Sequence, residues 1–564
     1  MDRLVRYSIW VALLLGCSDL PEPTALRFTC QDDSSCAAGY LCDDFQKACL
    51  PLAKACRLYV TPGAKVAGAD GSADRPFPLI QNAVDSAVDD CAIYVGEGTY
   101  EEALTVSARR GKLLVTGEHA TEPPVIQVPK DKEDGILVEA DHVSLIRLSI
   151  QGGAHGVHFR GKSNRQLEGG HAQSITIDGM DAAPTTPGLD SAGVLLEYTN
   201  GTKVSSATIS RVRAAVGKNF SFCLSDLDAE RCVRDRSSCS CGTNPGRTGA
   251  GILIAHSTGC SAMDNSISNV VGGPGGIASG WNQTGGAGGI GAGVLLLSTS
   301  TCTIKGNVIS NVRGGDGFGK GDSFINGGTG GVGAGIYLLA AGGGAQANRI
   351  ASNTITQVAG GIGGPAKRLN GELEAEGSTQ EGFGVYVGKE AVENYFDRNT
   401  IDGEGIVYIY DATPNSSVEL DSLEKEVNPT NLGKVVVVKS PGLKLKAAAI
   451  ANYRGEAGQA GEYYRHPKYG VGGFPGLPGV GIRLIQCTDC SVTGFEIRKI
   501  TGGRGGSGPN GFTGGVGGDA IGVYLQGCKN TTVDGKVDLP TLAGGKQGYY
   551  TQGKDGQVIE KKEE

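Results

Sequence analysis

A six-residue motif that recurs along the chain limits what this protein can fold into. It consists of a small or apolar residue, a glycine and then alternating apolar residues. Consecutive copies begin 42 residues apart, with "AGILIA" at Ala250, "AGVLLL" at Ala292 and "AGIYLL" at Ala334. Further copies begin at Ala192, Phe383, Val480 and Ile521. Periods of this length are typical of solenoids, in which neighbouring repeats bury one another. The sequence therefore predicts an all-β solenoid.

Asparagines recur behind this motif. They stand in "NSI", "NVI", "NTI" and "NTI" at Asn265, Asn307, Asn353 and Asn399. Because a solenoid stacks equivalent positions along its axis, these side chains are predicted to form a buried ladder of hydrogen bonds. A row of ligand-binding residues is the alternative interpretation of the same column.

Glycine supplies 93 of the 564 residues and concentrates between the repeats. "GGPGG" and "GGAGG" delimit residues 272–289, similar pairs delimit 314–331 and 502–518, and a partial copy starts at Gly360. No helical period follows these segments, which disfavours phosphate-binding loops, and flexible linkers have no need of the pattern. The segments are predicted to run outwards and back as polyglycine II-like limbs packed side by side, with disordered fringes as the alternative. They are similar to the polyglycine II bundles of certain phage tail-fibre adhesins.

Aromatic residues mark the tips of three of these excursions. Trp281, Phe324 and Phe512 stand among polar residues shortly before each return limb. An exposed ring can stack on a sugar while neighbouring amides bind its hydroxyls, so these three are candidate glycan-binding residues. Covering the end of the glycine bundle is the alternative role.

The N-terminus indicates export. Two arginines precede an apolar run and "LLGC", which resembles the bacterial lipobox, so residues 1–16 are predicted to be a signal peptide. The resemblance implies that Cys17 is lipidated, that Ser18 directs the protein to a Gram-negative outer membrane, and that the chain is anchored to that membrane. Residues 17–56 would form a tether with a cysteine-rich module. An ordinary secretory signal is the alternative.

The 16 cysteines favour an oxidising compartment. The short module has no CxxC pair and no nearby histidine, so disulfides are preferred to zinc. Cys260 with Cys302, and Cys487 with Cys528, occupy equivalent repeat positions and either bridge stacked coils or remain free. The remaining disulfide candidates are Cys30, Cys36, Cys42 and Cys49 in the module and Cys223, Cys232, Cys239 and Cys241 in one long excursion.

The stretch "GSADRPFPLIQNAVDSA", followed by "IYVGEGTYEE", resembles the opening of right-handed parallel β-helix proteins of the pectin-lyase-like class. With the lipobox and cysteine module, the chain resembles bacterial lipoproteins of the myxobacterial type. The resemblance implies a helix that caps the first coil. We assign residues 57–545 to the β-helix, with an irregular stretch at 404–479 formed either by irregular coils or by an inserted lobe. Residues 546–564 form a polar tail, and its end from Lys554 to Glu564 is predicted to fray.

No catalytic motif stands out. The formal charge of −8 is spread without long runs, which disfavours nucleic-acid binding, and we predict no metal or cofactor. His155 and His158 are expected on opposite, solvent-exposed faces of a strand, where they would make a poor metal site. The densest polar-aromatic cluster, Tyr463 to Tyr469, would be the first site to test for catalysis. The sequence favours surface architecture or glycan binding at the cell envelope, with a polysaccharide lyase or glycoside hydrolase as the alternative.

Overall fold

The computed structural model shows two compact units, Met1–Cys56 and Arg57–Glu564. The structure describes residues 35–37, 40–43, 48–51, 56–65, 67–108, 112–119, 122–181, 190–217, 220–221, 245–276, 278–279, 283–318, 325–326, 328–339, 346–364, 368–369, 372–373, 382–388, 391–402, 406–423, 434–454, 475–505, 516–544, 546 and 557–563.

The described part of the first unit is a small antiparallel hairpin. Strands β1 (Tyr40–Asp43) and β2 (Ala48–Pro51) pair with each other. A disulfide joins Cys36 to Cys49, whose Cα atoms lie 5.6 Å apart. A hairpin this small buries little apolar surface, so the covalent link supplies stability that a core cannot.

Among the described residues of the second unit, strands form three long parallel sheets, whose members are counted within those residues. Sheet 1 has ten strands: β3 (Cys56–Val60), β4 (Cys91–Val95), β7 (Leu114–Gly117), β10 (Ser144–Ile146), β14 (His171–Gln173), β18 (Lys203–Ser205), β22 (Ser261–Met263), β27 (Thr303–Lys305), β31 (Arg349–Ala351) and β36 (Tyr395–Asp397). Sheet 2 has thirteen: β5 (Thr99–Tyr100), β8 (Val125–Gln127), β11 (Ser149–Gln151), β15 (Thr176–Met180), β19 (Thr208–Arg213), β23 (Ser266–Val271), β28 (Val308–Arg313), β32 (Thr354–Ala359), β37 (Asn399–Asp402), β39 (Ser417–Leu423), β41 (Lys444–Arg454), β43 (Ser491–Thr501) and β45 (Thr532–Val537).

Sheet 3 also has thirteen strands: β6 (Leu104–Val106), β9 (Asp134–Val138), β12 (His155–Arg160), β16 (Ser191–Glu197), β21 (Gly249–Ala255), β26 (Gly291–Leu297), β30 (Gly333–Leu339), β35 (Gly382–Val387), β38 (Ile406–Tyr410), β40 (Val435–Val438), β42 (Gly479–Ile485), β44 (Ala520–Gln526) and β46 (Val558–Glu563). Short two-stranded ladders pair β13 (Leu167–Glu168) with β17 (Thr199–Asn200), β20 (Phe220–Ser221) with β24 (Ala278–Ser279), β25 (Gln283–Thr284) with β29 (Ile325–Asn326), and β33 (Arg368–Leu369) with β34 (Glu372–Leu373).

The chain visits the three sheets in turn, so each circuit is one coil of a right-handed parallel β-helix. The motif copies at Ala250, Ala292 and Ala334 align in register across β21, β26 and β30. The predicted all-β solenoid is therefore confirmed. After β36 the strands that the structure describes belong to sheets 2 and 3. Within residues 404–479, the described strands β38 to β41 extend those two sheets.

The motif glycine has a packing role. A Cβ added to Gly156 would lie 2.6 Å from Cγ2 of Ile177 in the core, and a Cβ on Gly293 would overlap Ile309 in the same way. The next residue, Val157, is also fully buried. Two consecutive residues thus face inwards at this point of the coil, and the usual in-and-out alternation of a strand shifts by one residue.

A short α-helix, α1 (Ile80–Ser86), lies at the first coils and buries Ile80, Ala83 and Val84. Its first residue is preceded by Leu79, which cannot cap it with a side chain. The carboxylate of Glu102 instead accepts the backbone N–H of Ile80 at 2.7 Å and that of Gln81 at 3.0 Å. Burial raises the pKa of Glu102, although these two hydrogen bonds oppose the rise.

The asparagines at the repeated "N" position form one buried column. The side-chain amide of Asn265 donates to Oδ1 of Asn307 at 2.9 Å, Asn307 to Asn353 at 2.9 Å, and Asn353 to Asn399 at 2.8 Å. Each of these amides also donates to a backbone carbonyl of the preceding coil. A second, unpredicted column joins Asn348 to Asn394 at 3.0 Å. These columns satisfy buried turn groups that would otherwise lack partners.

The described glycine limbs are extended segments joined by backbone hydrogen bonds. One row of bonds runs from Gly361 to Gly331, Gly315, Gly289 and Gly273, each N–H donating to the carbonyl of the next at 2.7–2.8 Å. A Cβ on any of these glycines would overlap backbone atoms of a neighbouring limb. This is a polyglycine II-like lattice, in which the absence of side chains allows backbones to approach one another.

The structure distinguishes the alternatives for the two stacked cysteine pairs. Cys487 bonds to Cys490, whose Cα atom is 6.0 Å away in the same turn, and Cys528 is free, so the predicted bridge between Cys487 and Cys528 is wrong. A partner within the same turn takes the place of the one expected in the next coil. Cys260 and Cys302 are buried and free, which corresponds to the alternative of stacked thiols.

The polar tail also differs from expectation. Residues Val558–Glu563 form β46, which pairs in parallel with β44 at the end of sheet 3. The prediction of a frayed tail is therefore wrong for these residues. Pairing supplies hydrogen-bond partners along the edge of β44 that an uncovered solenoid end would leave open.

Candidate functional site: a charged cleft beside the first coils

A cleft of about 260 Å³ lies where sheet 3 of the early coils passes into the following turns. Its lining combines charged and amide side chains with a few small or apolar residues. The lining residues are Ala108, Glu139, Asp141, Arg160, Gly161, Lys162, Asn164, Arg165, Gln166 and Leu167. They come from three successive coils, so the cleft exists only because the coils stack.

Two ion pairs shape the cleft wall. Arg160 donates to Oε1 of Glu139 through Nη2 at 2.8 Å and Nε at 3.2 Å. Arg165 pairs with Asp141, whose other carboxylate oxygen accepts the backbone N–H of Glu168 at 3.0 Å. All four side chains remain partly exposed. These pairs orient the side chains and leave polar edges facing solvent, which is the property a site for hydroxyl-rich ligands needs.

Lys162 provides the uncompensated charge of the cleft. It is exposed, and its ammonium has no ion-pair or hydrogen-bond partner in the part of the chain that the structure describes. Backbone bonds between Lys162 and Arg165, at 2.8 and 2.9 Å, hold the segment between them as a tight turn. With three cations against two carboxylates, the lining carries one net positive charge. The cleft therefore favours an anionic ligand.

His155 and His158 are placed differently from expectation. The side chains are 0% and 1% exposed, and both contact the carboxylate of Asp134 on β9. Gly156 and Val157 both face the core, so the in-and-out alternation of β12 shifts by one residue. As a result, the two histidines share the outer face of β12. The prediction of opposite, exposed faces is wrong. In the described part of the chain, Asp134, His155 and His158 are the group whose ligand atoms could hold a metal.

The electrostatics of this cluster are strong. Burial opposes ionisation of Asp134, but hydrogen bonds from both histidines outweigh it and lower the pKa of this carboxyl. Burial likewise opposes charging of His158, but the carboxylates of Asp134 and Glu197 raise the pKa of this imidazole. Glu197 lies beside Arg160 in register, so the cluster and the cleft are neighbours on one face of sheet 3.

Tyrosines continue the outer column of sheet 3 further along the solenoid. The rings of Tyr337 and Tyr386 stack with centroids 4.7 Å apart, and those of Tyr386 and Tyr408 stack at 5.3 Å. Burial raises the pKa of all three phenols. Tyr337 and Tyr408 cover both faces of the Tyr386 ring, so only ring edges are available to a ligand. The stack therefore serves chiefly to pack these tyrosines against one another.

Several sequence-predicted sites lie outside the described residues. These are the lipidation site Cys17, the tip aromatics Trp281, Phe324 and Phe512, the cysteines Cys30, Cys223, Cys232, Cys239 and Cys241, and the Tyr463 to Tyr469 cluster. Among the described residues, no helix has the length and apolar character to cross a bilayer.

No family model and no curated protein matches this chain. Among solved structures it is similar to the Dettilon tailspike protein (gp208), at TM-score 0.36 and 13% identity, covering 86% of this chain and 70% of that one. It is also similar to an alginate lyase from Paenibacillus sp. str. FPU-7, at TM-score 0.28 and 12% identity, covering 57% of this chain and 92% of that one. A third likeness is to the periplasmic alginate epimerase AlgG, at TM-score 0.23 and 10% identity, covering 84% and 77%. These values carry no conclusion about activity.

Proposed function

We propose that this protein is a lipid-anchored β-helix protein of the bacterial cell envelope that binds acidic polysaccharide in the cleft around Lys162. The observation that carries the proposal is the cleft itself. It places three cations, two oriented carboxylates and the amides of Asn164 and Gln166 around one cavity of about 260 Å³. Carboxylates and hydroxyls of uronate-type sugars match such a mixture of charge-assisted and neutral hydrogen-bonding groups.

The lipid anchor rests on the lipobox-like "LLGC" that ends at Cys17. Acyl chains contribute about 0.8 kcal/mol for each buried CH₂, so a diacylated cysteine would hold the protein at an outer-membrane surface without a spanning helix. Mass spectrometry of the mature N-terminus tests this part. A diacylated Cys17 is expected, and a mature chain that begins elsewhere would contradict it.

Binding can be tested with the purified protein and a panel of neutral and uronate-bearing polysaccharides. We expect retention on the acidic members, lost or strongly weakened in Lys162→Gln because its ammonium is the unpaired charge of the cleft. Lys130→Gln is the matched control, since Lys130 is an exposed lysine outside the cleft lining. Equal retention of wild type and Lys162→Gln would contradict the proposal, as would binding that does not distinguish acidic from neutral polymers.

The same incubation decides between binding and catalysis. The proposed function predicts retention without new reducing ends or unsaturated products over time. Time-dependent products would replace it with the alternative of a polysaccharide lyase or glycoside hydrolase, and Glu139 and Asp141 would then be the first carboxylates to substitute.

A further inference from the structure

The buried group on the outer face of β9 and β12 has a ligand-binding geometry of its own. Oδ1 of Asp134 lies 2.7 Å from Nδ1 of His155 and 3.2 Å from Nδ1 of His158. One ligand atom from each of the three residues lies within 4.8 Å of the other two. Two imidazole nitrogens and a carboxylate oxygen thus converge on one point between two coils.

The second nitrogen of each imidazole faces an acceptor group, although Nε2 of His158 makes no hydrogen bond with it in the described residues. Nε2 of His155 lies 2.6 Å from the backbone carbonyl oxygen of Asp190. A carbonyl can only accept, so this nitrogen carries a hydrogen. Nδ1 donates to Asp134 when the ring is protonated, and it would bind a metal through its lone pair once the ion displaces that proton. Nε2 of His158 lies 3.5 Å from a carboxylate oxygen of Glu197. Metal-binding histidines commonly donate their other nitrogen to a carbonyl or carboxylate in this way.

We propose that Asp134, His155 and His158 bind a divalent transition-metal ion of the Zn²⁺ class. Imidazole and carboxylate ligands suit this class of ion. Ligands about 2.1 Å from a tetrahedral ion lie about 3.4 Å apart. The 3.2 Å between Nδ1 of His158 and Oδ1 of Asp134 is close to this spacing, and the 2.7 Å contact between His155 and Asp134 would lengthen when the ion binds. The Asp134 side chain is 16% exposed, which gives the ion a route in and leaves a fourth position for water.

The ion would act as a clip between coils. Asp134 belongs to β9 and both histidines to β12, while Glu197 on β16 orients His158 from the next coil. A metal bound here would join strands that are otherwise held by backbone hydrogen bonds and packing. Binding to the folded state alone stabilises that state. This inference does not depend on glycan binding in the cleft.

Titration of the metal-free full chain with Zn²⁺ tests the site. We expect one ion bound per chain in addition to any thiolate sites, and a rise in melting temperature. Co²⁺ as a spectroscopic probe should show a tetrahedral spectrum without a thiolate-to-cobalt band, which separates this site from the free cysteines. His158→Ala should abolish both signals. His142→Ala is the matched control, because His142 is exposed and lies outside the cluster.

A conservative variant protects the test against misfolding. Glu197→Gln keeps all three metal ligands and should lower Zn²⁺ affinity about ten- to a hundredfold, as loss of an orienting carboxylate does. Circular dichroism checks that each variant retains its β structure. The proposal is overturned if the wild type binds no stoichiometric Zn²⁺, or if folded His158→Ala and Glu197→Gln bind it as tightly as the wild type.

Discussion

Replacing one glycine of the polyglycine II-like lattice by alanine should force neighbouring limbs of the lattice apart. In Gly315→Ala the new Cβ would lie 2.5 Å from the carbonyl carbon of Gly273 and 2.8 Å from the carbonyl oxygen of Gly272. Real Cβ atoms essentially never approach backbone atoms closer than 3.0 Å. The limb that carries Gly315 must therefore move away from its neighbour by at least half an ångström.

That movement also affects the hydrogen bonds of Gly315. Its N–H donates to the carbonyl of Gly289 at 2.8 Å, and its own carbonyl accepts from Gly331 at 2.7 Å. Overpacking a well-packed site costs about 1–3 kcal/mol, and leaving a buried backbone group unpaired costs about 1–3 kcal/mol more. We therefore expect the local opening free energy of the lattice to fall by about 2–6 kcal/mol.

Native-state hydrogen exchange followed by mass spectrometry measures this opening directly, without assuming that a long solenoid unfolds in two states. Amides of residues 286–291 and 328–333 should lose protection in Gly315→Ala. Thr329→Ala is the control, because the Thr329 side chain is exposed and only its backbone carbonyl bonds to a neighbouring limb, at Gly288. Its protection should match the wild type. Unchanged protection in Gly315→Ala would refute the lattice as the reason for these glycines.

Two further predictions concern the solenoid core. Asn307→Ala removes the oxygen that accepts from both the backbone N–H and the side-chain amide of Asn265. Thermal and chemical denaturation should therefore show a destabilisation of about 2 kcal/mol or more. Stability within about 0.5 kcal/mol of wild type would argue against the asparagine ladder. Under native conditions an alkylating reagent should label the part-exposed thiol of Cys528 before the buried thiols of Cys260 and Cys302. Peptide mapping reads out the labelling, and early modification of Cys260 would contradict its burial.

Periodic features were predictable because they depend on local pattern. The spacing of Ala250, Ala292 and Ala334 fixes the coil length, and the structure aligns these residues in neighbouring strands. Glycine pairs on both limbs of an excursion are predictable for a related reason, because close backbone contact excludes every larger residue. Both patterns recur several times along this sequence.

The histidine cluster does not follow from simple strand alternation, because the chain departs from that alternation at Gly156. Regular alternation places residues three apart on opposite faces of a strand. Gly156 and the next residue, Val157, both face the core, which shifts the alternation by one residue. The signal was present, since Gly193 and Gly251 stand at the same register of later coils and make the same core contact. Aligning His155 with Ala192 would have placed it correctly.

The cleft could not be predicted from sequence order. Asp141 and Arg165 pair across 24 residues, and Glu139 and Arg160 across 21, with no fixed repeat linking them. Their meeting depends on the register between β9 and β12, which aligns Val138 with Phe159. The Cys487 disulfide was missed for a similar reason, because stacking suggested a partner in the next coil while the turn supplied Cys490.

The most direct test of the proposed function is an equilibrium titration of the full chain with one acidic oligosaccharide that the polysaccharide panel identifies, at low and raised salt. We expect saturable binding that weakens with salt, because Lys162 contributes an exposed charge. This binding should be lost or strongly weakened in Lys162→Gln but kept in Lys130→Gln. A lack of saturable binding would contradict the assignment of the cleft as a glycan-binding site, and so would binding that Lys162→Gln leaves unchanged.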